Sequence, residues 1–177
     1  IRNATAAAAV SITIGISINI IKESLSRFEG VQRRFNKVFT FRDVNFFDDY
    51  AHHPTEITEL INGVNKVYKK EEIYCVFQPH RVSRLNDLRK EFSLSFKKAD
   101  AVILCPVYKA GEKIKLNFNY LSFAKEIIKN SKVKVYLIND QYELGKFIKQ
   151  YIHPNKVVIG MGAGSISNWM RQLPKLL

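Results

Sequence analysis

Phe47-Asp48-Asp49-Tyr50-Ala51-His52-His53-Pro54 and Phe77-Gln78-Pro79-His80-Arg81-Val82-Ser83-Arg84 decide how this chain reads. Each stretch closes a run of apolar residues with charged and imidazole-bearing ones, and a helix-like pattern follows. Polar groups gathered where strands end and helices begin are the layout of an α/β domain that binds ligand at the carboxyl edge of its sheet. The first stretch offers two carboxylates and two imidazoles, the second two guanidinium groups three positions apart. Carboxylates can hold hydroxyls, ammonium or metal, and paired arginines can hold a carboxylate or phosphate in bidentate fashion.

Outward from these stretches, strand and helix alternate. Residues 37–41 and 44–48 read as a strand pair turning near Arg42-Asp43. Pro54 suits the first position of a helix, and Ile57, Leu60, Ile61, Val64 and Val67 then share one apolar face. Residues 73–77 form a β-rich run of the kind found in a covered strand. Ser83 is placed to cap a helix carrying Leu85, Leu88 and Phe92. Strands follow at 101–105, 133–138 and 156–160, and helices at 142–152, at 165–173 and around Leu121, Ala124, Ile127 and Ile128. This alternation predicts a doubly wound, Rossmann-like α/β fold with a mostly parallel sheet.

The beginning of the chain differs. Residues 3–21 carry no charge, but Thr5, Ser11, Thr13, Gly15, Ser17 and Asn19 dilute the run, so it reads as a buried helix over 3–14 rather than a membrane span or signal peptide. A second helix is predicted over 18–28, with Gly30 as its stop. A buried helix needs a covering surface, so the expectation is that these helices remain from a truncated domain. A boundary is expected in residues 30–35.

Length and charge set further limits. With 177 residues the chain fits one domain plus a fragment. The net charge of +12 comes from lysines spread along the chain, without a basic block or aromatic interleaving, so nucleic acid is not expected as a partner, nor, with the uncharged run read as a buried helix, is a membrane. Cys75 and Cys105 lie inside apolar runs without metal-site spacing and read as buried, reduced thiols of a cytoplasmic protein.

Asp48, Asp49, His52 and His53 together favour a functional site over a capped turn. Adjacent side chains point apart, so His52 and His53 are poor joint ligands, and no metal residues are assigned. Arg84 in the first turn of a Ser83-capped helix is electrostatically unfavourable, and a bound anion would relieve it. Residues 160–165, Gly-Met-Gly-Ala-Gly-Ser, form a glycine turn that lacks the Lys-Ser/Thr ending of a phosphate-binding loop.

Taken together these motifs resemble the Mur ligases. Residues 48–54 look like the DDYxHHP signature of that family, residues 78–84 like QPHRxxR, residues 30–35 like GVxRRF, Asn3-Ala4 like the end of HNxxNA, and residues 162–165 like a late glycine turn. The second signature points to the branch that adds L-alanine, ahead of the branch that recycles murein tripeptide. Val82 departs from the aromatic residue common there, and Lys109 from the usual proline.

The resemblance implies an ATP- and Mg2+-dependent, amide-forming enzyme of peptidoglycan synthesis, with L-alanine, ATP and UDP-N-acetylmuramic acid as partners. It implies that residues 1–34 end an ATP-binding domain and that residues 35–177 are the amino-acid-binding domain. By resemblance Asn3 faces adenine, Arg34 reaches the ATP phosphates and Asp49 holds the ribose. Arg81 and Arg84 bind the alanine carboxylate, with Tyr50, His52 and His80 beside the amine, and His52 and Arg34 are the catalytic candidates. The GxxGK(T/S) loop and the Mg2+ ligands would belong to the missing N-terminal and central domains, so the isolated chain is expected to be inactive. A non-catalytic binding module is the alternative from another class.

Overall fold

The computed structural model describes residues 2–28, 30–112 and 118–177. It separates into two compact units, Ile1–Gln32 and Arg33–Leu177.

In the first unit, α1 (Arg2–Thr13) and α2 (Ile18–Ser26) are joined through Gly15, whose φ of 85° is left-handed backbone that glycine adopts without strain. The expected helix over 3–14 forms, but it is not buried. Val10, Ile12 and Ile14 are exposed, and Ile21 is the buried hydrophobic residue of this unit among those described. Two short helices make one thin layer, and one layer cannot cover both of its faces. Their apolar sides, with Asn3 among the lining, form a groove of about 490 Å³.

The second unit is a mostly parallel sheet flanked by helices. Its strands are β1 (Asn36–Phe41), β2 (Val44–Asp49), β3 (Glu72–Phe77), β4 (Ala101–Leu104), β5 (Lys134–Leu137) and β6 (Lys156–Met161), in the order β1-β2-β6-β3-β4-β5. Among the described residues only the β1–β2 pair is antiparallel. Arg42 and Asp43 turn that hairpin with φ of 48° and 61°, the geometry that matches strand twist in a two-residue loop. The helices are α3 (Pro54–Val67), α4 (Val82–Asp87), α5 (Arg89–Leu94), α6 (Tyr120–Ser131), α7 (Gln141–Tyr151) and α8 (Ile166–Gln172).

Alternation along β3 explains its apolar run. Ile73, Cys75 and Phe77 join a core with Ile57, Ile61 and Val64 of α3, while Tyr74 and Val76 join the opposite core with Leu144 and Ile148 of α7. A strand covered on both faces needs apolar residues at every position. Each fully buried aliphatic side chain contributes about 1.5–3 kcal/mol. Cys75 and Cys105 are buried and free, one in each core. Burial pushes both thiols well up.

Three details differ from the sequence reading. Val67, placed on the apolar face of α3, is exposed at the end of that helix, where the C-cap Tyr68 packs against the core instead. Leu121 and Ile128 of α6 are also exposed, and Phe123 takes the core position with Ala124 and Ile127. The single helix expected from Ser83 through Phe92 is two short helices, broken at Leu88 (φ −112°, ψ 27°), and Arg81 rather than Ser83 occupies the cap position of α4.

Candidate functional site

Strand order builds the site. β6 lies between β2 and β3, and Asp49, Met161 and Phe77 are register partners across the three strands. The segments that follow, at residues 50–53, 162–165 and 78–81, therefore leave the sheet at one level and face one another. Sequence alone separates the first two by more than a hundred positions.

An aromatic chain of contacts runs across this edge. The Tyr50 and His52 rings are 5.0 Å apart, His52 and His80 5.7 Å, and His80 and Tyr108 5.7 Å in a near-parallel stack. The His52 Nδ1 lies 2.8 Å from the Tyr50 carbonyl oxygen. A carbonyl can only accept, so Nδ1 carries a proton, and whenever the ring is neutral Nε2 keeps its lone pair. Glu56 of α3 accepts the His52 and His53 amides at 3.0 and 3.2 Å, which secures the turn. Burial pushes the Glu56 carboxyl up, but those amides with the His52 and Arg34 charges outweigh it, and the net shift is down. His53 is exposed at the N-cap of α3.

His80 sits half-buried, with its Nδ1 3.5 Å from the Arg84 guanidinium, the outer limit of a hydrogen bond. Burial first, then the charges of Arg84, His52 and Arg81, hold its imidazole below the usual 6.5. Arg81 and Arg84 line one hollow of about 340 Å³ with Ser83, Asp87 and Leu88.

The anion expected to relieve Arg84 is supplied by the chain itself. Glu112 accepts the Val82 amide at 2.8 Å and the Ser83 amide at 3.4 Å, and it also takes the Ser83 hydroxyl. These bonds, the Ser83 hydroxyl first, hold the Glu112 carboxyl below its usual range. The exposed amides read from the sequence as an anion site are therefore occupied.

The two neighbouring aspartates go to opposite faces of β2. Asp49 accepts the Phe35 and Ala51 amides, each at 2.8 Å. It also lines a hollow of about 440 Å³ with Arg34, Thr55, Glu56, Glu59 and Leu60. Burial lifts its carboxyl, the two amides oppose this, and the net shift from 3.8 is upward. Asp48 accepts from the Ser167 hydroxyl of α8, and Arg171 donates to that hydroxyl at 2.9 Å. Asp48 thus ties the helix to the sheet. Asn3 belongs to the first unit, in the opening turn of α1.

Four residues join the site that the sequence reading left outside its assignments. Gln78 accepts the Ile166 amide at 3.0 Å and donates to the Ser165 hydroxyl at 3.0 Å, which orients the glycine turn. Tyr108 stacks on His80, and a Cβ on Gly164 would lie 2.5 Å from Tyr108 Cγ. Glu112 and Arg33 complete the set. For Tyr108 and Glu112 the available signal was the Ala110-Gly111 turn, both residues of which have positive φ.

No group of three or more His, Cys, Asp or Glu among the described residues could hold a metal ion. No helix among them is long and apolar enough to cross a membrane.

Comparison with known proteins places this geometry. A relative named UDP-N-acetylmuramate–L-alanine ligase, from Pelagibacter ubique, is 68% identical over 177 residues, all of this chain and 38% of the relative. One of the same name from Bartonella bacilliformis is 36% identical over the whole chain and 37% of its own length. The chain thus spans little more than a third of the curated relatives it matches. Among solved structures, the UDP-N-acetylmuramate–alanine ligase of Thermotoga maritima superposes with a TM-score of 0.74 at 29% identity, covering 98% of this chain and 36% of that one. A murein peptide ligase from Psychrobacter arcticus shares the fold, with a TM-score of 0.76 at 21% identity over 98% of this chain and 36% of its own. The profile of the family described as Mur ligase, glutamate ligase domain, matches residues 33–164. With that match spanning most of its length, the chain belongs to the Mur ligase family.

Proposed function

We propose that this chain is the amino-acid-binding part of an ATP-dependent ligase that joins L-alanine to UDP-N-acetylmuramic acid through an acyl phosphate. On this reading residues 1–34 end its ATP-binding domain and residues 35–177 form the amino-acid domain. The observation that carries the reading is the grouping of Arg81 and Arg84 around one hollow, with His80 against Arg84 and His52 beside His80.

The chemistry asked of such a site matches these groups. An amino acid brings a carboxylate that must be held and an ammonium that must lose a proton before it can attack. Two guanidinium groups hold a carboxylate through charge-assisted hydrogen bonds. His52 presents an Nε2 lone pair able to accept a hydrogen bond or the proton from the amine. Burial and Arg84 favour the neutral form of His80, which adds no charge opposing the ammonium. The free amine then attacks the acyl carbon, the C–N bond forms, and phosphate leaves with the bonding electrons. Tyr50 borders the amine, and fixed geometry here replaces a chance encounter.

Arg34, an exposed cation beside Asp49 in the adjoining hollow, suits the nucleotide phosphates. Asp49 already accepts two amides, and each carboxylate oxygen retains a lone pair for a ribose hydroxyl. Asn3 is proposed for the adenine. Mg2+ finds no cluster of ligands among the described residues, and no step is routed through it.

The test is a chimera in which this chain replaces the matching part of the Pelagibacter relative. L-Alanine-dependent ADP release with UDP-N-acetylmuramic acid supports the reading. Turnover with murein tripeptide but not with L-alanine would move the chain to the recycling branch. No amine-dependent turnover, from a folded chimera that binds ATP, overturns it.

A further inference from the structure

After β4 the chain turns back across the site. Tyr108 donates its amide to Pro79 O at 2.8 Å, and Arg81 donates its own to Tyr108 O at 2.9 Å. The Val107 amide donates to the Tyr120 hydroxyl at 2.6 Å, which anchors the segment to α6. Residues 110 and 111 then reverse direction and bring Glu112 to the start of α4. Arg81 stands there with φ of 67°, a backbone region that non-glycine residues keep only where their surroundings over-determine it. Its own amide, its carbonyl (accepting from Leu85 at 3.2 Å) and the next amide, given to Glu112, are all bonded.

We propose that Glu112 is a positioning residue for the carboxylate clamp: it fixes the backbone of residues 81–84 so that both guanidinium groups face one hollow. The inference rests on the amino-acid-binding role proposed for that hollow. Glu112 does two things there. Its charge offsets the accumulation of Arg81, Arg84 and the amide dipoles at the start of α4, which otherwise disfavours Arg84 in this turn. Its oxygens also occupy the Val82 and Ser83 amides, so a substrate carboxylate meets guanidinium groups rather than backbone N–H groups. A two-pronged side-chain clamp is selective for a planar anion, whereas open helix amides would also accept free phosphate.

The chimera above carries the test. Glu112→Gln keeps the size and an acceptor oxygen but removes the charge, and Glu112→Ala removes both. The expected result is a rise of about tenfold in the L-alanine KM for Glu112→Gln, and more for Glu112→Ala, with the ATP KM within about twofold of the parent. Ser83→Ala is expected to raise the alanine KM less, and to add little on top of Glu112→Gln because both act through one contact. An alanine KM that stays constant or falls, or KM values for alanine and ATP that rise together, overturns the proposal. A fall would mean that Glu112 competes with the substrate rather than positioning its ligands. Arg84→Ala, measured in parallel, separates the two layers of inference. If it leaves the alanine KM unchanged, the clamp itself fails. If it raises that KM while the Glu112 variants do not, only the role of Glu112 fails. Should Glu112→Ala not fold, the near-isosteric Gln variant still decides.

Discussion

The guanidinium of Arg33 lies 4.6 Å from the centre of the Tyr50 ring, and the Arg33 carbonyl accepts the Tyr50 amide at 2.8 Å. The same guanidinium donates to Gly162 O at 2.6 Å, and its Nε stands 3.8 Å from Asp48 Oδ2. One side chain thus joins the end of β2, the ring beside the proposed amine position and the glycine turn after β6. Arg33 Nε and Asp48 Oδ1 have no hydrogen-bond partner among the described residues, so charge attraction alone links this pair.

Removing that side chain leaves a nearly buried aspartate without its counter-charge. Arg33→Ala is expected to destabilise the chain by about 2 kcal/mol or more. Arg33→Lys, which keeps the charge but loses the planar fork, should recover only part. Urea denaturation checks both, and a loss within about 0.5 kcal/mol would mean that the contacts are incidental.

Arg81→Ala in the chimera is expected to raise the L-alanine KM by about ten- to a hundredfold, the range for losing a charge-assisted bond. The ATP KM should stay close to the parent. Equal effects on both constants would remove Arg81 from the carboxylate clamp.

Gly162 has φ of 145°, and a Cβ there would stand 2.6 Å from the Gln78 carbonyl oxygen, a backbone atom that cannot swing aside. Gly162→Ala should therefore cost about 1–3 kcal/mol and disturb the Arg33 contact at the Gly162 carbonyl. Gly63→Ala serves as the control, since no atom lies within 4 Å of its Cβ position. A melting temperature for Gly162→Ala equal to that of the control would contradict the close approach.

His80 is held below 6.5 by burial and by neighbouring positive charge. The neutral ring is thus favoured in the folded state, and the unfolded chain takes up protons more readily. The linked stability is present in full above about pH 6.5 and is lost as pH falls through the lower folded value. An NMR titration should place the His80 midpoint below the free-histidine value, and Arg84→Ala should move it upward. A midpoint at or above the free value would mean that the ring is not shielded as described.

Local physics made much of the architecture legible. Pro54 opens α3, Arg42-Asp43 turns the hairpin, and continuous apolar runs become strands covered on both faces, because each depends on near neighbours and on burial. Arg81, Arg84, His52 and Asp49 stood out for the same reason, being polar groups at the ends of apolar runs. The Ser83 cap did not hold, because its competitor, Glu112, lies 29 positions away. Helix propensity carries no knowledge of a carboxylate arriving from another loop.

What only the tertiary structure decided is which ends meet. The sequence presented Asp48 and Asp49 as one acidic pair, yet strand alternation sends one to Ser167 of α8 and the other to the amides of Phe35 and Ala51. Arg33 meets Gly162 only because β6 pairs with β2, and Tyr108 meets His80 only because β4 pairs with β3. Sequence alone determined the elements and the chemical character of their ends. The order of strands, set by long-range packing, determined which of those ends form one site.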